Sequence, residues 1–363
     1  MFGWLFMLLA IMFFWFMIPD AIGEKKKKLI FLGLSLGVVV FILGSRSIYA
    51  ANCTDLYNYY RWYVRAIDLP VSELLQYDVM ESGYLLLNDI VAWIVPWEYF
   101  FFYFQAAFCT GVMFWYIYRN VDNVFLGVLV YICFGPWQFF LTAFRQSFAT
   151  CICFIAFELI KKRKTKFDLI ALGLVALASC IHTTAWLFLA VFIIRYFKVG
   201  KGIVIFSAVV AICMTQVIDE LVAFSNETLG REYKAGAYYG NVLGGLIPIL
   251  IYIGTLLLCY LAFKNDKQFV EKHRLEINML IFGATLYLLR YHTHTFERVS
   301  GFFTPVISVL LPVAIGNQKK LSERKIITVI CVACCCALFF YRAYGQIGTY
   351  SFHWDNPVMR VEV

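Results

Sequence analysis

The chain has 363 residues, of which 62% are hydrophobic and 15% charged, and its mean hydropathy is +0.75. That composition excludes a soluble domain, and no soluble segment of 50 residues or more fits between the apolar runs. The net charge of +8 comes from short lysine-rich loops rather than one basic face, which excludes nucleic acid as the partner.

The apolar runs fall at 2–19, 29–45, 100–118, 124–140, 143–160, 168–180, 183–195, 203–219, 244–263, 277–291, 300–315 and 326–342, with a further segment at 83–95. A transmembrane helix needs about 20 apolar residues, and lipid admits only helices or closed barrels. These runs are apolar throughout rather than alternating, which removes the barrel. The fold predicted is an all-α, polytopic helical membrane protein: one transmembrane domain over 1–363 with about 12 spans and a re-entrant or interfacial segment. The first run, Phe2 to Ile18, lacks a basic leader and a small-residue cleavage site, so it reads as a retained helix.

The basic stretches Lys25–Lys28, Lys161–Lys166, Arg195–Lys201, Lys264–Arg274 and Lys319–Lys325 are expected on the cytoplasmic side. Counting spans forward from Lys28 puts Arg46 at the outer face. Counting back from Lys161 puts Arg145 there too. The two counts agree only if 83–95 does not cross, so 46–99 is expected outside, with 83–95 dipping in or lying flat. Trp93, Pro96 and Trp97 suit the interface. The stretch 168–195 is too long for one span and reads as two short helices meeting near His182. The outer side then carries the segments 46–82, 220–243, 292–299 and 344–363, and most of the varied polar chemistry. No GxxxxGK[ST] loop exists to feed a nucleotide-driven machine. The 12 cysteines lie mostly inside apolar runs, with no metal-ligand spacing and no disulfide framework.

Charge at membrane depth is costly and marks candidate sites. Arg145 follows the Gly135-Pro-Trp137 break and stands beside Gln146 and Ser147. Its planar fork of donors suits phosphate oxygens, although an interfacial arginine that snorkels to headgroups gives the same pattern. His182 interrupts Ala178-Ser-Cys-Ile-His-Thr-Thr-Ala185, as a proton acceptor or as a packing histidine. Leu289 to Arg298 is the densest polar cluster. Arg290 and Arg298 suit an anion, and the His292/His294 pair lacks the further ligands that zinc needs. In 46–84, Asp55 and Glu81 are candidate bases toward a sugar hydroxyl, among Arg46, Tyr59, Tyr60, Arg61, Trp62, Arg65 and Tyr84. Aromatics beside acids suit carbohydrate, and equally suit the lipid belt.

The ordered set is Arg46 closing the second helix, Asp55 followed by tyrosines, Glu81-Ser-Gly-Tyr84, Phe144-Arg-Gln146, a lysine-rich loop and His182-Thr-Thr-Ala185. It resembles the EpsG family, a Wzy-like group of bacterial polysaccharide polymerases. The likeness is strongest from 46 to 186. The family usually has a glycine near its first aspartate, where this chain has Ala51-Asn-Cys-Thr54.

The resemblance implies a membrane glycosyltransferase making exopolysaccharide, capsule or O-antigen from undecaprenyl-diphosphate-linked oligosaccharides. It would sit in the bacterial cytoplasmic membrane with its active site facing outward. The expected partners are those lipid-linked sugars, with a chain-length regulator and a flippase of the same pathway. No cofactor or metal is implied. Arg145, Gln146, Arg46, Arg290 and Arg298 would hold the diphosphate. Glu81, Asp55 or His182 would act on the acceptor hydroxyl, and Tyr59, Tyr84 and His294 would contact sugar. The competing readings are a flippase or transporter of lipid-linked sugars, an envelope-sugar acyltransferase with His182 as base, and a non-catalytic assembly protein.

Overall fold

A computed structural model describes residues 2–49, 54–77, 80–134, 136–229, 242–293, 295–345 and 350–355. Among these residues the chain is helical, with one isolated antiparallel bridge between Arg46 and Phe352 and no strand. It divides into two compact units.

The first unit comprises residues 1–186 and 329–363. Its helices are α1 (Phe2–Met17), α2 (Glu24–Gly44), α3 (Thr54–Asp68), α4 (Val71–Leu74), α5 (Ser82–Ile94), α6 (Phe100–Asn120), α7 (Val124–Cys133), α8 (Pro136–Thr142), α9 (Phe144–Ile160) and α10 (Thr165–Ile181). α10 packs along α9, α2 along α6, and α3 against α5, while α5 also meets α10 and α6 meets α9. Fully buried rings fill the space between them, including Tyr63, Tyr84, Phe101, Phe102, Phe144 and Phe148. A 3₁₀ stretch, Thr183–Leu189, follows α10.

The second unit, residues 187–328, holds α11 (Ala190–Ile194), α12 (Lys201–Leu229), α13 (Val242–Asn265), α14 (Lys267–Leu288), α15 (Thr295–Ser300) and α16 (Ile307–Gly316). α14 is its hub, packing on α11, α12, α13, α15 and α16. Asn278 of α14 ties down the end of α11 by donating to the Phe197 carbonyl at 2.8 Å. The last helix, α17 (Leu321–Gly345), belongs to the first unit from Val329 onward.

Four helices are long and apolar enough to cross a membrane by length and composition: Glu24–Gly44, Phe100–Asn120, Gly245–Ala262 and Leu321–Tyr344. The apolar runs that suggested 12 spans include shorter helices, at Phe2–Met17, Ser82–Ile94, Val124–Cys133, Thr183–Ile194, Lys201–Val217 and Thr304–Gly316. The reason is local. The run 124–140 is not one helix, because α7 ends at Cys133 and α8 starts afresh at Pro136, whose ring nitrogen has no hydrogen to donate. The run 183–195 opens as 3₁₀ before α11. α5 has 13 residues, so it rises about 20 Å against a hydrocarbon core of about 30 Å.

The chain near its C-terminus returns to the end of α2. Ser47 N–H donates to the Ser351 carbonyl at 2.8 Å, and His353 N–H donates to the Ser45 carbonyl at 2.9 Å. The Tyr350 hydroxyl donates to the Ile42 carbonyl at 2.9 Å, satisfying one of the acceptors that a helix end leaves open.

Candidate functional site

Three helix ends of the first unit meet at Glu81. Glu81 is the N-cap residue of α5, yet its side chain makes no capping bond to that helix. It points instead at the first turn of α9 and the last turn of α10. Oε2 pairs with the Arg145 guanidinium. Oε1 lies 3.2 Å from His182 Nδ1 and 3.2 Å from the Thr183 N–H, with the Thr183 hydroxyl at 3.5 Å. The Glu81, Arg145 and His182 side chains keep between 16% and 23% of their surface exposed, so the cluster is not sealed inside the core.

Burial raises the proton affinity of Glu81. The hydrogen bond from His182 and the charge of Arg145 oppose it and bring the carboxyl down to about 2. Glu81 is therefore ionised at neutral pH, and an ionised carboxylate only accepts hydrogen bonds. His182 Nδ1 must then donate. In the neutral imidazole this leaves the lone pair on Nε2.

Arg145 is the second residue of α9, where backbone N–H groups lack intrahelical partners and the helix dipole is positive. The cap residue, Ala143, supplies no side-chain acceptor. Behind Arg145, the Tyr59 hydroxyl hydrogen-bonds the guanidinium, and the Tyr59 ring stacks on Phe144 with centroids 4.7 Å apart. This end of α9 thus gathers one flexible cation and several fixed donors, an arrangement suited to an oxyanion.

The remaining candidates of the first unit separate into three groups. Tyr59 and Tyr84, read as sugar contacts, are buried, their rings packed on each other and on neighbouring phenylalanines, and Tyr59 backs Arg145. Asp55 lies in the first turn of α3, one turn before Tyr59 and on the same helix face, and is partly exposed. Arg46 and Gln146 are each only 2% exposed. Arg46 donates to the Leu141 carbonyl at 2.5 Å and lies over the Phe144 ring, so in this arrangement it braces the core.

In the second unit, Arg290 donates to the Tyr287 hydroxyl at 2.6 Å and pairs with Glu297 at 3.4 Å, its guanidinium resting on Gly245 of α13. Arg298 is exposed on α15. His294 lies outside the described residues. Thr183 was missed as a Glu81 partner, because a backbone N–H leaves no trace in residue type. The carboxylate–tyrosine embrace of Arg290 was missed as well, although helical spacing puts Tyr287 one turn before it.

The fold and this centre define a helical membrane protein with a partly exposed glutamate–arginine–histidine cluster at the junction of three helix ends. The chain matches the EpsG family over residues 38–353 and belongs to that family, which places it in polysaccharide biosynthesis. No curated protein and no solved structure matches it.

Proposed function

We propose that the protein polymerises undecaprenyl-diphosphate-linked oligosaccharide repeat units by glycosyl transfer at the outer face of the cytoplasmic membrane. The observation that carries this reading is the double engagement of Glu81, with one oxygen on Arg145 and the other on His182. It joins an anion-binding group and a carboxylate-oriented imidazole in a single centre.

In this reading the acceptor sugar hydroxyl attacks the anomeric carbon of the donor chain. Its proton passes to His182 Nε2. The bond from the anomeric carbon to the diphosphate oxygen breaks, and the electron pair leaves on the diphosphate. Arg145 and the N-terminal amides of α9 meet the charge that develops there. Glu81 is a weak base at a proton affinity of about 2, so it orients His182 and stabilises the imidazolium that forms. Of the three candidate bases, Glu81, Asp55 and His182, this reading gives the role to His182 and leaves Asp55 to position the acceptor.

The test separates transfer from transport. In cells carrying Glu81→Ala, single repeat units should accumulate on the lipid carrier where a glycosidase added to intact spheroplasts can digest them. Accumulated units protected from the glycosidase would mean that they are stranded inside, and would favour a flippase over a polymerase.

A further inference from the structure

Gly83 stands in the first turn of α5, where it offers no side-chain contact and loses more backbone freedom on folding than any other residue would. Its backbone is not left-handed, so no turn requires glycine there. What it provides is space. A Cβ at Gly83 would lie 2.5 Å from the Cys180 carbonyl oxygen, 2.6 Å from the carbonyl carbon and 2.8 Å from the Cys180 Cβ. Two of these three are backbone atoms in the last turn of α10, so no side-chain rotation relieves the clash. Non-bonded carbon–oxygen contacts begin at about 3.3 Å, so any side chain at position 83 drives the helices apart by roughly 1 Å.

This contact sits two residues from Glu81 on one helix and two from His182 on the other, since Glu81 precedes Gly83 by two and His182 follows Cys180 by two. The Glu81–His182 and Glu81–Thr183 contacts are each 3.2 Å, near the upper end of hydrogen-bond range. A displacement of roughly 1 Å takes both out of range. Arg145 reaches Glu81 from α9 through a long side chain with several rotatable bonds, so that pair can follow a shift of α5 that the backbone N–H of Thr183 cannot.

We infer that Gly83 is a positioning residue, which sets the approach of α5 to α10 and so holds Glu81 against His182 and Thr183. For catalysis this rests on the polymerase reading, in which His182 takes the acceptor proton. The positioning itself does not.

The experiment therefore has two readouts. In the first, Gly83→Ala is assayed for glycan elongation on the lipid-linked repeat unit. We expect kcat to fall about 100-fold, as misplacement by an ångström can cost, with KM little changed because Arg145 still binds the diphosphate. Gly111→Ala is the control, as a Cβ at Gly111 meets nothing within 4 Å. In the second, Glu81→Cys and His182→Cys are joined by a short bifunctional thiol reagent in a background freed of native cysteines. Gly83→Ala should lower that cross-linking severalfold, while a Ser45→Cys/Tyr103→Cys pair, whose native hydroxyls are 2.8 Å apart, stays unchanged.

Undiminished cross-linking at 81/182 overturns the inference, whatever elongation does. Loss of both cross-links overturns it too, since Gly83 would then serve general packing. An unaltered kcat despite lost cross-linking removes the catalytic half. If the native protein does not elongate glycan at all, the polymerase reading fails and the cross-links alone decide on Gly83.

Discussion

At Glu81 two opposed effects act on one carboxyl: burial favours the proton, while His182 and Arg145 favour the charge and prevail, bringing it to about 2. Because the native carboxyl lies below its ordinary value of 4.5, it adds stability above pH 4.5, and that contribution is lost as pH falls toward 2. Glu81→Gln should therefore lower stability at neutral pH, by roughly 1–3 kcal/mol, by leaving the Arg145 charge without its carboxylate. The gap to the native protein should narrow between pH 4.5 and 2 in thermal unfolding of detergent-solubilised protein. A gap that holds constant to the lowest pH would show that the pairing contributes nothing. Glu81, Arg145 and His182 were each legible in the sequence, Glu81 as an acid among aromatics in the outer segment, Arg145 as a charge after the Gly135-Pro-Trp137 break and His182 as the interruption of an apolar run. Their meeting was not, since nothing in the spacing of residues 81, 145 and 182 says which helix ends adjoin. Arg46 carries the same sequence signal and a different fate. What separates it from Arg145 is its burial and its bond to the distant Leu141 carbonyl, both set by tertiary packing.

Among the elements, α2 shows how a helix end is completed from afar. Its Ile42 carbonyl has no intrahelical donor and receives the Tyr350 hydroxyl, whose ring covers Gly3 and meets Trp4 edge-on at 5.2 Å. Tyr350→Phe keeps the ring and removes the bond, so it should cost about 1 kcal/mol, seen as a lower Tm with the membrane level of the protein preserved. An unshifted Tm would mean that water serves the carbonyl equally well. Such long-range closures are invisible to hydropathy, which reads composition over a window. The same blindness merged α7 and α8 into one run, although the Gly135-Pro136 signal lay within it. Conversely, the stretch 168–195 read as two helices meeting near His182, and α10 does end at Ile181, where α5 and α9 bring Glu81 and Arg145.

Taken as a whole, the molecule is a helical membrane protein of the EpsG family, with four helices long enough to cross by themselves and an anion-suited centre in its first unit. Membrane character was plain in the composition. The number of crossings was not, because an apolar run of 10–17 residues serves as readily for a core or re-entrant helix as for a span. The central claim is that the Glu81–Arg145–His182 centre transfers glycan from a lipid diphosphate. It is tested most directly by incubating the purified protein with its lipid-linked repeat unit and following glycan length and free undecaprenyl diphosphate together. The native protein should lengthen the glycan and release one lipid diphosphate for each unit joined. Arg145→Lys, which keeps the charge and loses the planar fork, should do both more slowly, by about 100-fold. Elongation at the native rate by Arg145→Lys, or no elongation by the native protein, would contradict the account.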